Sequence, residues 1–380
     1  MIVAGEASGD LHGGALASAL FKKDPTLRII GIGGPAMKDA GVDIGFDCRQ
    51  LGMMGFSELF FKISAIWKGY QAAKSMLTKA DLLVLIDFPD FNLRIAKIAR
   101  QLGIPVVYYI GPQLWAWRAG RINVIKERVD KMLVIFPFEE AFYKKADIPC
   151  EFVGHPLLDK AAPLLERSVS KRDYLIEKGL NPDAKTIALL PGSRESEIHR
   201  HLPIMLAGIS QLSHEIPDIQ ILIPVAHTIP ITLIENMIRS SSLPIRLVTG
   251  DIYSLLRVTD AAVVVSGTAT LDAALTETPM IIIYKTSALT YALARHWVRI
   301  PHLGLVNIVA NAPLVPELIQ GEVTANRICE EMKRILDDPN VVLKMKAGLR
   351  AVVTSLGKEG ASNRAADAVY DLLPQKRRRP

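Results

Sequence analysis

Thr186-Ile-Ala-Leu-Leu-Pro-Gly-Ser-Arg194 and Ala261-Ala-Val-Val-Val-Ser-Gly-Thr-Ala-Thr-Leu-Asp272 are the two stretches on which the reading of this chain turns. Each is an apolar run that stops abruptly at glycine and hydroxyl residues and leads toward a helical pattern. Unbroken Val/Ile/Leu runs are what parallel strands covered on both faces require. Where such a strand hands over to a helix, free backbone N–H groups and the positive helix end favour an anion. Arg194 adds a fork of donors suited to phosphate oxygens. Gly192, Ser193, Arg194, Ser266, Gly267 and Thr268 are therefore the candidate holders of a nucleotide diphosphate.

The same alternation runs outward in both directions. Strands are expected over 1–4, 27–32, 82–87, 106–110, 131–135 and 151–153, then over 186–190, 219–224, 245–249, 261–265 and 280–283. Between the two sets lie Gly154-His-Pro-Leu-Leu-Asp159 and a polar, charged stretch to about 181, which reads as a hinge. The expected fold class is α/β, with two Rossmann-like parallel-sheet domains facing each other across a cleft.

Composition allows this. A chain of 380 residues with 49% hydrophobic content can bury two ordinary cores, and 22% charged residues fit a globular protein. Cys48, Cys150 and Cys329 are unclustered and odd in number, so neither a disulfide framework nor a metal cluster is expected, which fits a reducing cytoplasm. No basic leader precedes the strand-like start, and no apolar run approaches the roughly 20 residues of a spanning helix. The expectation is a protein that is soluble or lies on a membrane. Its net charge of +6 is compatible with nucleic acid, an anionic membrane surface or a phosphorylated substrate. Nucleic acid is the weakest of these, because no recognised nucleic-acid motif is present. The Lys376-Arg-Arg-Arg379 tail reads as a solvated end, with a membrane-surface contact as the alternative.

Several residues could carry chemistry. Ile2-Val-Ala-Gly-Glu-Ala-Ser-Gly-Asp-Leu-His-Gly-Gly14 is a strand, a glycine-rich turn and a helix start, with Glu6 at the strand's carboxyl end, where doubly wound sheets bind ligands. The plainer reading is a tight turn capped by Ser8 or Asp10. Asp87 directly follows Leu82-Leu-Val-Leu-Ile86, and a carboxylate at the end of a buried strand can be tuned as a general base. Asp90 could serve as base equally well, but it reads more readily as the cap of a helix over 92–101. Gly31-Ile-Gly-Gly-Pro-Ala36 matches a dinucleotide fingerprint only loosely, since Pro35 interrupts it, and is expected to be a packing turn. After Tyr108-Tyr-Ile-Gly-Pro112 comes Trp115-Ala-Trp-Arg118, where Arg118 and Arg121 could meet a phosphate. His155 either faces a substrate or is structurally satisfied. Asn307, in a loop over 301–320, could reach a sugar or nucleotide.

The stretch 51–77 repeats Phe56, Leu59, Phe60, Ile63, Ile66, Trp67 and Tyr70 at three- and four-residue spacing, with Lys62, Lys68 and Lys74 off the stripe. It fits a core-facing helix or one lying at a membrane interface.

Val3-Ala-Gly-Glu-Ala-Ser-Gly-Asp10, Ile86-Asp-Phe-Pro-Asp-Phe-Asn92, Trp115-Ala-Trp-Arg118, Phe136-Pro-Phe-Glu139, Phe152-Val-Gly-His155, Leu189-Leu-Pro-Gly-Ser-Arg194, Ser266-Gly-Thr-Ala-Thr-Leu-Asp272 and the Asn307 loop occur in one order over nearly the whole chain. As a set they resemble the lipid-A-disaccharide synthase family, glycosyltransferases of the GT-B fold. The resemblance implies an inverting transfer from UDP-2,3-diacylglucosamine to 2,3-diacylglucosamine 1-phosphate (lipid X). It implies Asp87 as base, with Glu6 as positioning carboxylate or rival base. Ser193, Arg194 and the Ser266-Gly-Thr turn would hold the diphosphate, and Asn307 would complete the donor site. Asp272, where the family usually has Glu, would accept from a ribose hydroxyl. Ser8, Arg118 and His155 become acceptor or phosphate candidates.

The resemblance also favours the interfacial reading of 51–77. Phe56, Leu59, Phe60, Ile63, Ile66 and Trp67 would then touch acyl chains at the cytoplasmic face of the inner membrane. The implied domains are 1–160 for acceptor and membrane, with 345–380 crossing back to it, and 161–344 for the donor. A homodimer formed by exchange of the C-terminal region is implied; no metal and no cofactor are expected. The rivals are a UDP-N-acetylglucosamine 2-epimerase, which needs no greasy surface, and a lipid carrier, which would leave Asp87 and Arg194 idle.

Overall fold

The computed structural model describes residues 1–52, 59–116, 119–288, 290–292 and 300–374. The chain separates into two compact units, Met1–Asp159 with Leu356–Pro380, and Lys160–Ser355.

The first unit is built on a seven-stranded sheet. Its strands are β1 (Ile2–Ala4), β2 (Ile30–Gly33), β3 (Asp43–Asp47), β4 (Leu83–Ile86), β5 (Val106–Tyr109), β6 (Lys131–Val134) and β7 (Cys150–Phe152), in the spatial order β3-β2-β1-β4-β5-β6-β7. The second carries β8 (Lys185–Leu190), β9 (Ile219–Val225), β10 (Ile245–Thr249), β11 (Ala261–Val265), β12 (Met280–Tyr284) and β13 (Glu317–Ile319), in the order β10-β9-β8-β11-β12-β13. Every neighbouring pair is parallel. The central strands β4 and β11 are buried along their whole length, because helices cover both faces and only apolar side chains can fill them.

In each sheet the strand order reverses once, between β1 and β4 and again between β8 and β11. At a reversal the connections from two adjacent strands leave toward opposite faces, so a crevice opens beyond the carboxyl ends of those strands.

The chain returns to the first unit at Leu356, and the helix Ala361–Asp371 packs on the helix Ala7–Lys23. The Asp159 carboxylate accepts from the N–H groups of Gly360, Ala361 and Ser362 at 2.6, 3.2 and 3.1 Å, and so caps the returning helix. The His155 N–H donates to the Leu356 carbonyl at 3.0 Å. The stretch read as a hinge is thus fastened to the returning chain.

Candidate functional site

At the first reversal, Ala4 of β1 is paired with Ile86 of β4. The two chains then turn away as Gly5-Glu6 and Asp87-Phe88, so both carboxylates singled out from the sequence leave adjacent strand ends. Glu6 is exposed and forms the N-cap position of the Ala7–Lys23 helix. Asp87 and Phe88 both adopt left-handed backbone, with φ of +48° and +47°. Such geometry in non-glycine residues is costly and collects at functional sites. The helix that follows is Pro89–Gln101, with Phe88 at its N-cap and Pro89 in the first turn. Asp90 is therefore not the cap, contrary to expectation; it lies in the first turn and pairs with Arg121. Burial pushes the Asp87 carboxyl above the ordinary carboxylate range, and the Phe88 N–H draws it partly back. That is the environment of a tuned base.

Other residues near these strand ends hold structure. Asp10 does not cap its own helix: its carboxylate accepts from Gly34, Ala36 and Met37 N–H groups at 2.6, 2.9 and 3.0 Å. The glycine turn after β2 is thereby filled by the chain's own anion and packs rather than binding a dinucleotide. His155 is buried, and its Nδ1 accepts from the Leu157 N–H at 3.1 Å. Burial first, and then the nearby His12, lower its pKa to about 4. With Nδ1 accepting, the ring proton sits on Nε2, and the neutral, enclosed imidazole brings a hydrogen-bond donor but no positive charge. Ser8 is exposed in the first helical turn beside Glu6. Arg118 lies outside the described residues.

Beyond β5, the Trp115 Nε1–H donates to Glu139 Oε1 at 3.0 Å, while Phe136 N–H donates to Oε2 at 3.0 Å. The Trp115 ring meets Phe138 edge-on at 4.9 Å. The Ile135 N–H also donates to Oε2, at 3.3 Å, and burial raises the Glu139 carboxyl to about 7 against the Phe136, Trp115 and Ile135 donors.

At the second reversal the two glycine turns flank one crevice: Pro191-Gly-Ser-Arg194 follows β8 and Ser266-Gly-Thr268 follows β11. Gly192 has φ +119°, and a Cβ there would lie 2.6 Å from the Glu197 Cβ, so only glycine fits. Glu197 Oε2 accepts from the N–H groups of Ser193 and Arg194 at 2.9 and 3.3 Å, and its Oε1 pairs with the Arg194 guanidinium at 3.1 Å. Arg194 is the N-cap of the 19-residue helix Glu195–Ser213, and its side chain is largely exposed. The Thr228 hydroxyl donates to the Ser193 carbonyl at 2.8 Å and steadies the turn. The Ser266 hydroxyl donates to the Leu303 carbonyl at 3.0 Å, while Thr268 is exposed. Asp272 accepts from the Tyr253 hydroxyl at 2.7 Å. Burial raises its pKa, with Tyr253 and Lys160 acting against that shift.

Asn307 is completely buried, and both of its amide donors are committed, to the Val315 carbonyl at 2.8 Å and to Glu317 Oε1 at 2.7 Å. Glu317 in turn accepts from the N–H groups of Leu303 and Gly304 at 2.8 and 2.9 Å. Asn307 lies in the helix Leu305–Ala310, not in a loop as expected; it braces the chain over 303–317 and leaves no donor for a ligand, which corrects its reading as a direct contact. The sequence gives no role to Glu139, Glu197 or Glu317, although Glu139 closes the Phe136-Pro-Phe-Glu139 motif. The first two stand three residues after an N-cap and accept from its backbone N–H, the glutamate half of a capping box. Nothing local marks Glu317.

Among the described residues, no group of three or more His, Cys, Asp or Glu is placed to hold a metal ion.

The Lipid-A-disaccharide synthetase family pattern matches residues 1–370. Lipid-A-disaccharide synthase of Geobacter metallireducens is 44% identical over 379 residues, covering 99% of this chain and 98% of its own. That of Syntrophus aciditrophicus is 46% identical over 376 residues, covering 98% and 97%. The chain belongs to the lipid-A-disaccharide synthetase family. Membership makes it a glycosyltransferase, an enzyme of lipid A biosynthesis.

Solved structures agree on the fold, which is GT-B. A UDP-GlcNAc 2-epimerase from Neisseria meningitidis bound to UDP-GlcNAc superposes with a TM-score of 0.66 at 14% identity, covering 97% of this chain and 99% of that one. The calicheamicin glycosyltransferase CalG4 gives 0.62 at 15%, covering 100% and 99%. At such identities the likeness is one of fold alone, so it lends the epimerase reading no weight against the family match.

The helix Leu59–Leu77 divides the apolar stripe in a way the family's lipid substrates make relevant. Gly69, Ala73 and Leu77 are buried, and Ile66, Tyr70 and Met76 pack against the core of the first unit. Ile66 thus faces the core and not an acyl chain. Trp67 is 61% exposed, among exposed Ser64, Lys68 and Lys74. Phe56 lies outside the described residues, as do the side chains of Leu59, Phe60 and Ile63 and the Lys376-Arg-Arg-Arg379 tail. Among the described residues no helix is long and apolar enough to cross a membrane.

Proposed function

We propose that this enzyme transfers the sugar of UDP-2,3-diacylglucosamine to 2,3-diacylglucosamine 1-phosphate, giving the β-1,6-linked disaccharide 1-phosphate and UDP. One observation carries the assignment of its parts. In both units, the residues read as reactive or phosphate-binding leave the sheet where the strand order reverses. The family match supports the substrates, and the reversal points support the roles.

The first unit, with the returning C-terminal helix, takes the acceptor. The acceptor hydroxyl oxygen bonds to the anomeric carbon of the donor as the bond from that carbon to the diphosphate breaks. The hydroxyl proton passes to the Asp87 carboxylate, which burial has made more basic. Glu6, exposed at the adjacent strand end, positions the acceptor, with Ser8 beside it. The electron pair leaves with UDP, whose diphosphate is held by Gly192, Ser193, Arg194 and the Ser266-Gly-Thr268 turn in the second unit. Donors fixed before the reaction stabilise that developing charge without reorganisation. Glu197 engages the Ser193 and Arg194 N–H groups and the Arg194 guanidinium, and it yields these three donors when the donor substrate binds, before the reaction. Asp272 accepts from a ribose hydroxyl, and Asn307 braces the loop beside Ser266. Catalysis of this kind needs no metal.

Trp67, flanked by lysines, docks the enzyme on the anionic cytoplasmic face of the inner membrane, where both lipid substrates reside. The active form is a homodimer that exchanges its C-terminal segment.

The experiment is UDP release from purified protein given UDP-2,3-diacylglucosamine, with and without the acceptor. Release only with the acceptor, together with a disaccharide product, is expected. Bound UDP without release under either condition would overturn the assignment.

A further inference from the structure

The backbone that aims Asp87 is held from two sides by side chains to which no role has been given. Asn92 lies in the Pro89–Gln101 helix, completely buried. Its amide donates to the Asp87 carbonyl at 2.6 Å and to the Ile86 carbonyl at 3.1 Å. Tyr108, in β5, is also completely buried, and its hydroxyl donates to the same Asp87 carbonyl at 2.7 Å. The Asp87 N–H donates to the Ile110 carbonyl at 3.2 Å. A carbonyl oxygen has two lone pairs, and here each is engaged by a different element.

We propose that Asn92 and Tyr108 are positioning residues for catalysis, fixing the Asp87–Phe88 peptide so that the Asp87 carboxylate meets the acceptor hydroxyl. This rests on the reading of Asp87 as the base. Two consecutive left-handed non-glycine residues relax toward ordinary backbone unless their surroundings over-determine them. The orientation of the peptide between them decides both. If it turns, Phe88 leaves its seat and the Asp87 Cα–Cβ bond swings with it. Two buried donors, one from the following helix and one from the neighbouring strand, are what prevents the turn. Neither side chain touches substrate; each acts through the main chain of Asp87.

The test compares wild type with Asn92→Ala, Tyr108→Phe and Asp87→Ala, and with each of the first two combined with Asp87→Ala. Turnover, KM for both substrates and UDP affinity are measured, and residual product is followed by radiolabel over long incubations. Expected is a fall in kcat of about ten- to a hundred-fold in each single variant, with KM and UDP affinity unchanged. Neither change should reduce the residual turnover of Asp87→Ala any further, because the group they position is gone. Tyr108→Phe removes one hydroxyl and keeps the ring, so it reads the effect even if Asn92→Ala does not fold. Normal kcat in folded Tyr108→Phe, or an equal loss on top of Asp87→Ala, overturns the inference. Full turnover in Asp87→Ala instead overturns the base assignment, and this inference with it.

Discussion

Gly5 and Phe88 occupy the same space from opposite sides of the first strand reversal: a Cβ on Gly5 would sit 2.8 Å from the Phe88 Cβ and closer still to its ring. The left-handed turn at Asp87-Phe88 drops the Phe88 side chain onto the carboxyl end of β1, and glycine is what leaves room for it. The loop that carries Glu6 and the loop that carries Asp87 are therefore one packed unit. Gly5→Ala must displace Phe88 at its root. We expect a loss of about 1–3 kcal/mol in unfolding free energy and a fall in turnover larger than the stability loss explains. Denaturant unfolding beside steady-state kinetics checks this, and an Ala variant with normal turnover would show the two loops to be independent.

Arg194 should matter for the donor and not for the acceptor. Arg194→Ala removes a charged donor while its partner Glu197 remains, so UDP binding should weaken by about ten-fold or more. Calorimetric titration with UDP measures it. Arg194→Lys should recover part of the loss, since charge without the planar fork serves phosphate less well. Equal affinity in all three proteins would remove Arg194 from the donor site.

Glu139 predicts a pH-dependent stability. Its folded pKa of about 7 lies above the ordinary 4.5, chiefly because of burial. Between those values the folded chain keeps a proton that the unfolded chain has released. The contribution is fully present below about pH 4.5 and is lost as pH rises through about 7. The raised Asp87 carboxyl acts in the same direction. Relative to Glu139→Gln, wild type should lose up to about 3 kcal/mol between pH 5 and pH 8. Urea unfolding across that range is the measurement; a constant difference between the two proteins would contradict it.

Trp67 should contribute to membrane binding without contributing to the fold. It is 61% exposed on a helix whose opposite face is packed. Trp67→Glu should leave unfolding free energy within about 0.5 kcal/mol of wild type. Co-sedimentation with vesicles containing anionic lipid should fall several-fold. Unchanged sedimentation would assign docking to other residues.

Particular elements show where sequence reading succeeds and where it stops. β4 and β11 were legible because a buried parallel strand must be apolar throughout, and nothing else in the chain produces such runs. β3 and β13 were missed. They are edge strands, short, partly exposed and rich in acidic residues, so neither length nor periodicity distinguishes them from loop. Asp90 stands near a helix start and so resembles a cap, whereas Pro89 marks the first turn. Asn307 stands in a stretch that reads as a polar loop, yet it lies buried in the short helix Leu305–Ala310. Its partner Glu317 arrives from an edge strand ten residues away.

The sequence by itself determined most strands of the two parallel sets and the glycine turns that end them, because each depends on residues close together along the chain; it determined the family through the order of short motifs over nearly the whole chain. It also placed Asp87 and Arg194 at strand ends. Tertiary structure alone decided that those ends are the reversal points, since strand order is a matter of long-range pairing that no local pattern encodes. It alone decided which carboxylates are engaged within the protein, as Asp10, Glu197 and Glu317 are, and which are raised by burial, as Asp87, Glu139 and Asp272 are. A carboxylate's task depends on the donors that reach it and the water that does not, and both are set by segments distant in sequence.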